Sequence, residues 1–374
     1  MPISVITYDQ DLPEIPDRRP WEPPTSFLEK DPATGLWRIN DSGRRPSPLL
    51  LVHKLRAAVD SWRAAGYPGA SDVTRTLFRF WFDEDHDVPG FPAPFRYHFC
   101  QREAIETLAY VVEVAQIRDA KLLVDSFAEV FKVDLLDYNI VHETTMDGQR
   151  RIRRFFPELQ KHGLQDLPPE NLARYAFKMA TGSGKTWVMA MAIVWSFFHK
   201  RRVPGSPLST NFLIVAPNII VYQRLELDFA SNRIFHTLPL VPPEWGHWSA
   251  KVILRGESTE PDPSANIFLT NIQQIHESRE DQWTPANPVE VFLGRKPVKD
   301  LASHQRSPLE RLKSLRDLLV INDEAHHVHD EELKWTQALL DLHHSLPPGL
   351  ALWLDFSATP KDQNGMYFPW RHGQ

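Results

Sequence analysis

The chain has 374 residues and a formal charge of −6 at pH 7, with 42% hydrophobic and 24% charged residues. This is an ordinary soluble, globular composition, long enough for two domains or one large elaborated one. It argues against a wholesale basic coat for nucleic acid but leaves room for a local basic channel, because binding depends on local charge. A single cysteine, Cys100, excludes an internal disulfide and a cysteine-based zinc site, which fits a reducing cytoplasm. No apolar run reaches the roughly 20 residues of a membrane span, and Met1-Pro2-Ile3-Ser4 does not open a secretory signal.

Residues 1–47 are rich in proline, which suits neither helix interiors nor central strands. An extended arm is expected here, anchored by Trp21 and Trp37, with a disordered tail as the alternative. Ser47-Pro48 then opens a helix, with Leu51, Leu55, Ala58, Val59 and Trp62 on one face and Gly66 as the stop. Thr74 to Phe82 is apolar and aromatic and is expected to be buried; Asp83 to Pro94 reads as a linker.

A helix opens in the stretch from Phe95 to Ala104 and runs to about Val114. It carries Gln101, whose carboxamide matches the N6 and N7 edge of adenine; a helix N-terminus at the surface explains it as well. Cys100 is expected to be a packing residue. The long insertion that follows has helical pattern near Ala120 to Val133 and a basic knot, Arg150-Arg151-Ile152-Arg153-Arg154. The knot suits contacts to a phosphate backbone, or else the solvated face of a helix.

Tyr175-Ala176-Phe177 leads into Lys178-Met179-Ala180-Thr181-Gly182-Ser183-Gly184-Lys185-Thr186, and a long apolar helix, Trp187 to Phe198, leads out. Strand, glycine-rich loop and helix make the context of a phosphate-binding loop. Gly182 and Gly184 let the backbone curl so that N–H groups point at phosphate oxygens, and the helix N-terminus adds its dipole. Lys185 places a charge on the β- and γ-phosphates, and the Thr186 hydroxyl can ligate Mg²⁺. Met179 stands where the usual pattern has a small residue.

Apolar strands then alternate with helices: Phe212 to Pro217, Ile219 to Phe229, Lys251 to Leu254, Asn266 to Asn271, Leu309 to Arg316, Leu318 to Asn322, Glu331 to His344 and Leu350 to Phe356. The stretch from Glu277 to Ser307 is polar and irregular. The alternation predicts an α/β fold, a parallel sheet with helices on both faces and ligands at the carboxyl ends of its strands. Asp323-Glu324-Ala325-His326 follows a buried strand, so Asp323 suits Mg²⁺ and Glu324 the attacking water. His326 could report nucleotide state to a neighbouring lobe. Ser357-Ala358-Thr359-Pro360 follows the last strand, where Ser357 and Thr359 could relay a change at the γ-phosphate; a serine/threonine turn is the plain alternative.

Met179 to Thr186, Asp323 to His326 and Ser357 to Thr359, in that order and each after a strand, resemble motifs I, II and III of superfamily 2 helicases. The closer likeness is to the DEAD/DEAH-box group that contains the Res subunit of type III restriction enzymes. Phe99-Cys100-Gln101 looks like that group's adenine-reading motif. Ala216-Pro217-Asn218 and Leu269-Thr270-Asn271 resemble its strand-end contacts to the nucleic-acid backbone. The resemblance implies a P-loop RecA-like lobe at residues 95–374, with an insertion at about 115–173, preceded by a mostly helical N-terminal region in residues 1–94. It implies ATP and Mg²⁺ as cofactors, with Thr181, Gly182, Ser183, Gly184, Lys185 and Thr186 around the phosphates. It also implies a cytoplasmic motor on nucleic acid, DNA ahead of RNA, with an RNA helicase of the DEAH group or a non-hydrolysing binding module as alternatives. The chain ends at Gln374, soon after the third motif, so a second RecA-like lobe or subunit is expected elsewhere and weak hydrolysis from this half alone.

Overall fold

The computed structural model describes residues 13–47, 50–127, 139–144, 146, 150–155, 164–166, 171–255, 257, 259–271, 308–325 and 330–358. In chain order the arm holds β1 (Phe27–Lys30) and β2 (Trp37–Asn40), an antiparallel hairpin. Three helices follow: α1 (Leu50–Ala64), α2 (Asp72–Phe78) and α3 (Phe99–Ala109), the last two running on into single π turns. The insertion contributes α4 (Ala120–Phe127) and an antiparallel sheet of β3 (Asn139–Thr144), β4 (Arg150–Phe155) and β5 (Leu164–Asp166). Then come β6 (Arg174–Lys178), α5 (Lys185–Arg202), β7 (Asn211–Ala216), α6 (Ile219–Phe229), α7 (Arg233–Thr237), β8 (Lys251–Ile253) and β9 (Asn266–Asn271). The rest is α8 (Pro308–Lys313), β10 (Leu319–Asn322), α9 (Asp330–Ser345) and β11 (Leu352–Ser357).

Six parallel strands form the main sheet, in the order β6-β11-β10-β7-β9-β8. Because successive side chains of a strand point to opposite faces, the inner strands feed two cores. Phe212, Ile214, Leu319, Ile321, Leu352, Leu354 and Phe356 enter one core. Leu213, Val215, Leu318, Val320 and Trp353 enter the other, against α8 and α9. The first core also takes Val59 and Trp62 of α1, Leu77 and Phe78 of α2, Ile105 of α3 and the buried middle of α5. The predicted α/β fold with a helical N-terminal region is therefore present, and the N-terminal helices share the core of the sheet's first face. Trp195 of α5 donates to Thr74 of α2 at 2.9 Å across that junction.

Two local expectations change. Trp21 and Trp37 are not buried as anchors of the arm; they remain 39% and 36% exposed, and Trp21 meets only the Arg96 guanidinium among the cation–ring contacts of the described residues. The arm is seated by the Phe99 N–H, which donates to the Pro20 carbonyl at 2.7 Å, and by Arg44, which pairs with Glu103. The basic knot lies on a strand, not a helix. Arg150 to Phe155 is paired antiparallel with the strand that runs from Asn139 to Thr144.

Asp355, 1% exposed in the middle of β11, holds the three neighbouring strands that lead into the sequence motifs. Arg174 of β6 donates to its Oδ2 at 2.8 Å. Asn322 of β10 and Trp353 of β11 itself donate to its Oδ1 at 2.7 and 2.9 Å. The Arg174 guanidinium also lies over the Trp353 ring, 3.9 Å from its centroid. Removing one partner of such a buried pair leaves the other charge uncompensated. Asp355→Ala is expected to lower unfolding stability by about 3–5 kcal/mol, and Asp355→Asn by less. Urea unfolding of the two variants measures this; an Asp355→Ala protein as stable as the parent would show that the pair contributes nothing.

Candidate functional site

The site is made where β6, β10 and β11 end. Between β6 and α5 the loop takes two left-handed turns, at Gly182 (φ +78°) and Gly184 (φ +82°). Only glycine fits the second: a Cβ there would lie 2.1 Å from Gln101 Nε2. The N–H groups of Gly182, Gly184, Lys185 and Thr186 have no acceptor among the described residues. That is an anion-receiving donor set at a helix N-terminus. Ser183 closes the turn locally, its hydroxyl donating to the Ala180 carbonyl at 2.7 Å, and Thr181 is exposed. Met179 needs no left-handed turn; its side chain is 6% exposed within the core, and its N–H donates to the Ser357 carbonyl at 2.9 Å.

Gln101 is 1% exposed. Its Oε1 accepts the His98 N–H and its Nε2 donates to the Ser183 carbonyl, both at 2.9 Å. The carboxamide thus caps α3 and fixes the loop from outside, which leaves it one N–H and one lone pair. Beside it, the arm and the start of α3 wall a cavity of about 1260 Å³ that Lys178, Arg18 and Arg45 also line.

The acidic turn after β10 is pinned from both flanks. The Asp323 N–H donates to the Val215 carbonyl of β7, and the Ala325 N–H to the Phe356 carbonyl of β11, each at 3.0 Å. Between them Glu324 takes φ +49°, a left-handed conformation that costs a non-glycine residue on the order of 1–3 kcal/mol. The turn brings Glu324 Oε1 against Lys185 Nζ in an ion pair. Asp323, 2% exposed, pairs through Oδ2 with Arg224 of α6, and its Oδ1 accepts the Glu324 N–H at 3.0 Å. Burial pushes the Asp323 carboxyl above its ordinary value, against the pull of Arg224 and Lys185.

The structure therefore gathers Gln101, Thr181 to Thr186, Asp323, Glu324 and Ser357 at one edge of the sheet. Ser357 lies opposite Lys178 in the β11–β6 register, and its carbonyl accepts the Met179 N–H. His326 and Thr359 lie outside the described residues, as do His327 and His329. Among the described residues no cluster of histidine, cysteine and acid side chains could hold a metal, and no helix is long and apolar enough to cross a membrane. Sequence reasoning missed Arg224. Its only signal was an arginine in the second turn of the helix that follows the strand-end Pro217.

The family model of the type III restriction enzyme Res subunit matches residues 100–362, more than two thirds of the chain and the whole of this site. The chain belongs to that family. No curated protein sequence matches the chain. Res-subunit membership makes it part of a helicase-like family of ATP-dependent nucleic-acid motors. The donor set fits ATP with Mg²⁺: free N–H groups and Lys185 for phosphate, and the Thr186 hydroxyl with the Asp323 carboxylate for a hard, oxygen-seeking cation.

Because burial raises the folded pKa of Asp323, the folded state holds its proton more tightly than the unfolded chain does. Stability therefore falls as pH rises through the window between the ordinary carboxylate value and the raised one. At neutral pH the ionised Asp323 is a net cost. Asp323→Asn is expected to melt at a higher temperature than the parent at pH 7, with the gap narrowing as pH falls toward about 4. Thermal unfolding across that range checks it; an equal or lower melting temperature at pH 7 would contradict it.

Proposed function

We propose that this chain is the ATP-binding first motor lobe of a DNA helicase or translocase of the Res-subunit type, coupling ATP hydrolysis to movement on DNA. The Lys185–Glu324 ion pair carries this reading, because it joins the phosphate loop to the acidic strand end in one site. Thr181, Gly182, Ser183, Gly184, Lys185 and Thr186 receive the β- and γ-phosphates, and Thr186 with Asp323 holds Mg²⁺. When bound, that ion neutralises charge developing on the transferred phosphoryl group.

Lys185 has two tasks in sequence. In the ion pair it neutralises Glu324; with nucleotide present it turns to phosphate and frees Glu324 to orient the attacking water. Gln101 holds the loop and meets the base with its remaining N–H and lone pair. Ser357, together with His326 and Thr359, relays the state of the γ-phosphate along the β11 end. Of the strand ends Ala216-Pro217-Asn218 and Leu269-Thr270-Asn271, at the carboxyl ends of adjacent β7 and β9, the half-buried Pro217, Asn218 and Thr270 supply contacts to the nucleic-acid backbone, and the buried members position them. We place the lobe at residues 95–374, with the arm and helices of 1–94 built onto it, and its work in the cytoplasm. Full turnover calls for a second RecA-like lobe or subunit, whose arginine typically supplies about 10³- to 10⁵-fold in rate.

Lys185→Ala is expected to abolish nucleotide binding in a fluorescent-nucleotide titration. Glu324→Gln should bind nucleotide at least as tightly as the parent, since Lys185 is no longer held, yet lose hydrolysis. Steady-state ATPase assays with duplex DNA, single-stranded DNA and RNA complete the test. Binding that survives Lys185→Ala would remove the phosphate-loop reading, and stimulation by RNA alone would remove the DNA motor.

A further inference from the structure

Both acids of the site are paired with cations of the chain itself. Lys185 pairs with Glu324 and Arg224 with Asp323. Lys185 belongs to the phosphate loop, so its departure toward nucleotide is expected. Arg224 has no such role. It projects from α6, whose inner face is set by Tyr222, Leu225 and Phe229, and its side chain is 48% exposed while that of Asp323 is fully buried. A half-exposed guanidinium thus occupies the one buried carboxylate that the Res-subunit reading gives to Mg²⁺.

A second position for this guanidinium lies on the same helix. Asp228 is one turn further on, at the i, i+4 spacing that brings side chains together. Arg224 and Arg233 both pull the Asp228 carboxyl downward in pKa, against a burial effect that raises it. Arg224 therefore stands between two acids: Asp323 in the site, and Asp228 on its own helix.

We propose that Arg224 is a resident stand-in for the divalent cation, capping Asp323 in the ion pair seen here and moving toward Asp228 when metal and nucleotide enter. This rests on Asp323 being the metal carboxylate. Metal and guanidinium then compete for the same carboxylate, so the apparent affinity for Mg²⁺ with nucleotide is lower than the carboxylate alone would give.

The test compares the affinity of a fluorescent ATP analogue in Mg²⁺ and in EDTA, on the full chain and its Arg224→Gln and Arg224→Lys variants. The ratio of the two affinities is the gain due to metal. Arg224→Gln should raise that gain at least about fivefold, the lower end of ordinary coupling between sites, and leave affinity in EDTA within about twofold of the parent. Arg224→Lys keeps a competing charge without the planar fork and should fall between. It also carries the test should the glutamine variant fail to fold. An unchanged gain in the variants overturns the proposal. So does a parallel loss of affinity in both media, which would make Arg224 a direct phosphate ligand. Asp323→Asn separates the two levels: if it leaves the parent's metal gain intact, the metal assignment itself fails. If it removes the gain while Arg224→Gln leaves it unchanged, only the stand-in fails.

Discussion

Everything at the site depends on the register of three adjacent strands, and one buried carboxylate helps to fix it. Asp355 takes hydrogen bonds from β6, from β10 and from its own strand, in a layer otherwise filled by Leu213, Val215, Val320 and Trp353. Parallel pairing is tolerant of apolar exchange, because leucine and valine pack in several arrangements. A charge with directional partners is not. A slip of one residue would turn Asp355 to the opposite face and leave Arg174 uncompensated. With the strands so aligned, the carbonyls of Phe356 and Ser357 take the N–H groups of Ala325 and Met179. The last strand thereby grips the acidic turn and the start of the phosphate loop with two consecutive residues.

That grip accounts for the strain at Glu324. A relaxed turn after β10 is available to any acidic residue, but the flanking N–H groups of Asp323 and Ala325 are already committed to β7 and β11. The residue between them must accept a left-handed conformation. What is obtained is direction: two neighbouring carboxylates point to different cations, Asp323 to Arg224 and Glu324 to Lys185. Two acids facing one another would share a proton and could not hold separate roles.

The sequence made the architecture legible because its signals were local. Gly-Ser-Gly-Lys-Thr between a strand and a helix needs only short-range chemistry, and runs such as Phe212 to Ala216 and Leu318 to Asn322 read as buried parallel strands without knowledge of their partners. The acidic pair after β10 was readable for the same reason. Arg224, Asp355 and Glu103 were not, since each acquires meaning from a residue far away in the chain. The basic knot was open to two readings until β3 paired with β4, and the tryptophans of the arm were judged by size alone. A proline carbonyl and an arginine, the weaker sequence signals, seat that arm instead.

Gln101 shows how such distant contacts change the meaning of a residue that sequence had singled out. A free carboxamide on a helix N-terminus could pair with any base edge presented to it. Here one oxygen lone pair caps α3 and one N–H holds Ser183, while Gly184 passes so close that no side chain could intervene. Whatever engages the remaining N–H and lone pair therefore acts on a group that already sets the shape of the loop. Tilting the carboxamide toward a base would lengthen the bond to Ser183, and the N–H groups of Gly184 and Lys185 would shift with it. On the proposed reading, in which Gln101 meets the base, the base and phosphate ends of the site would be joined through this one amide plane, and a change at either end would be felt at the other without any movement of the sheet.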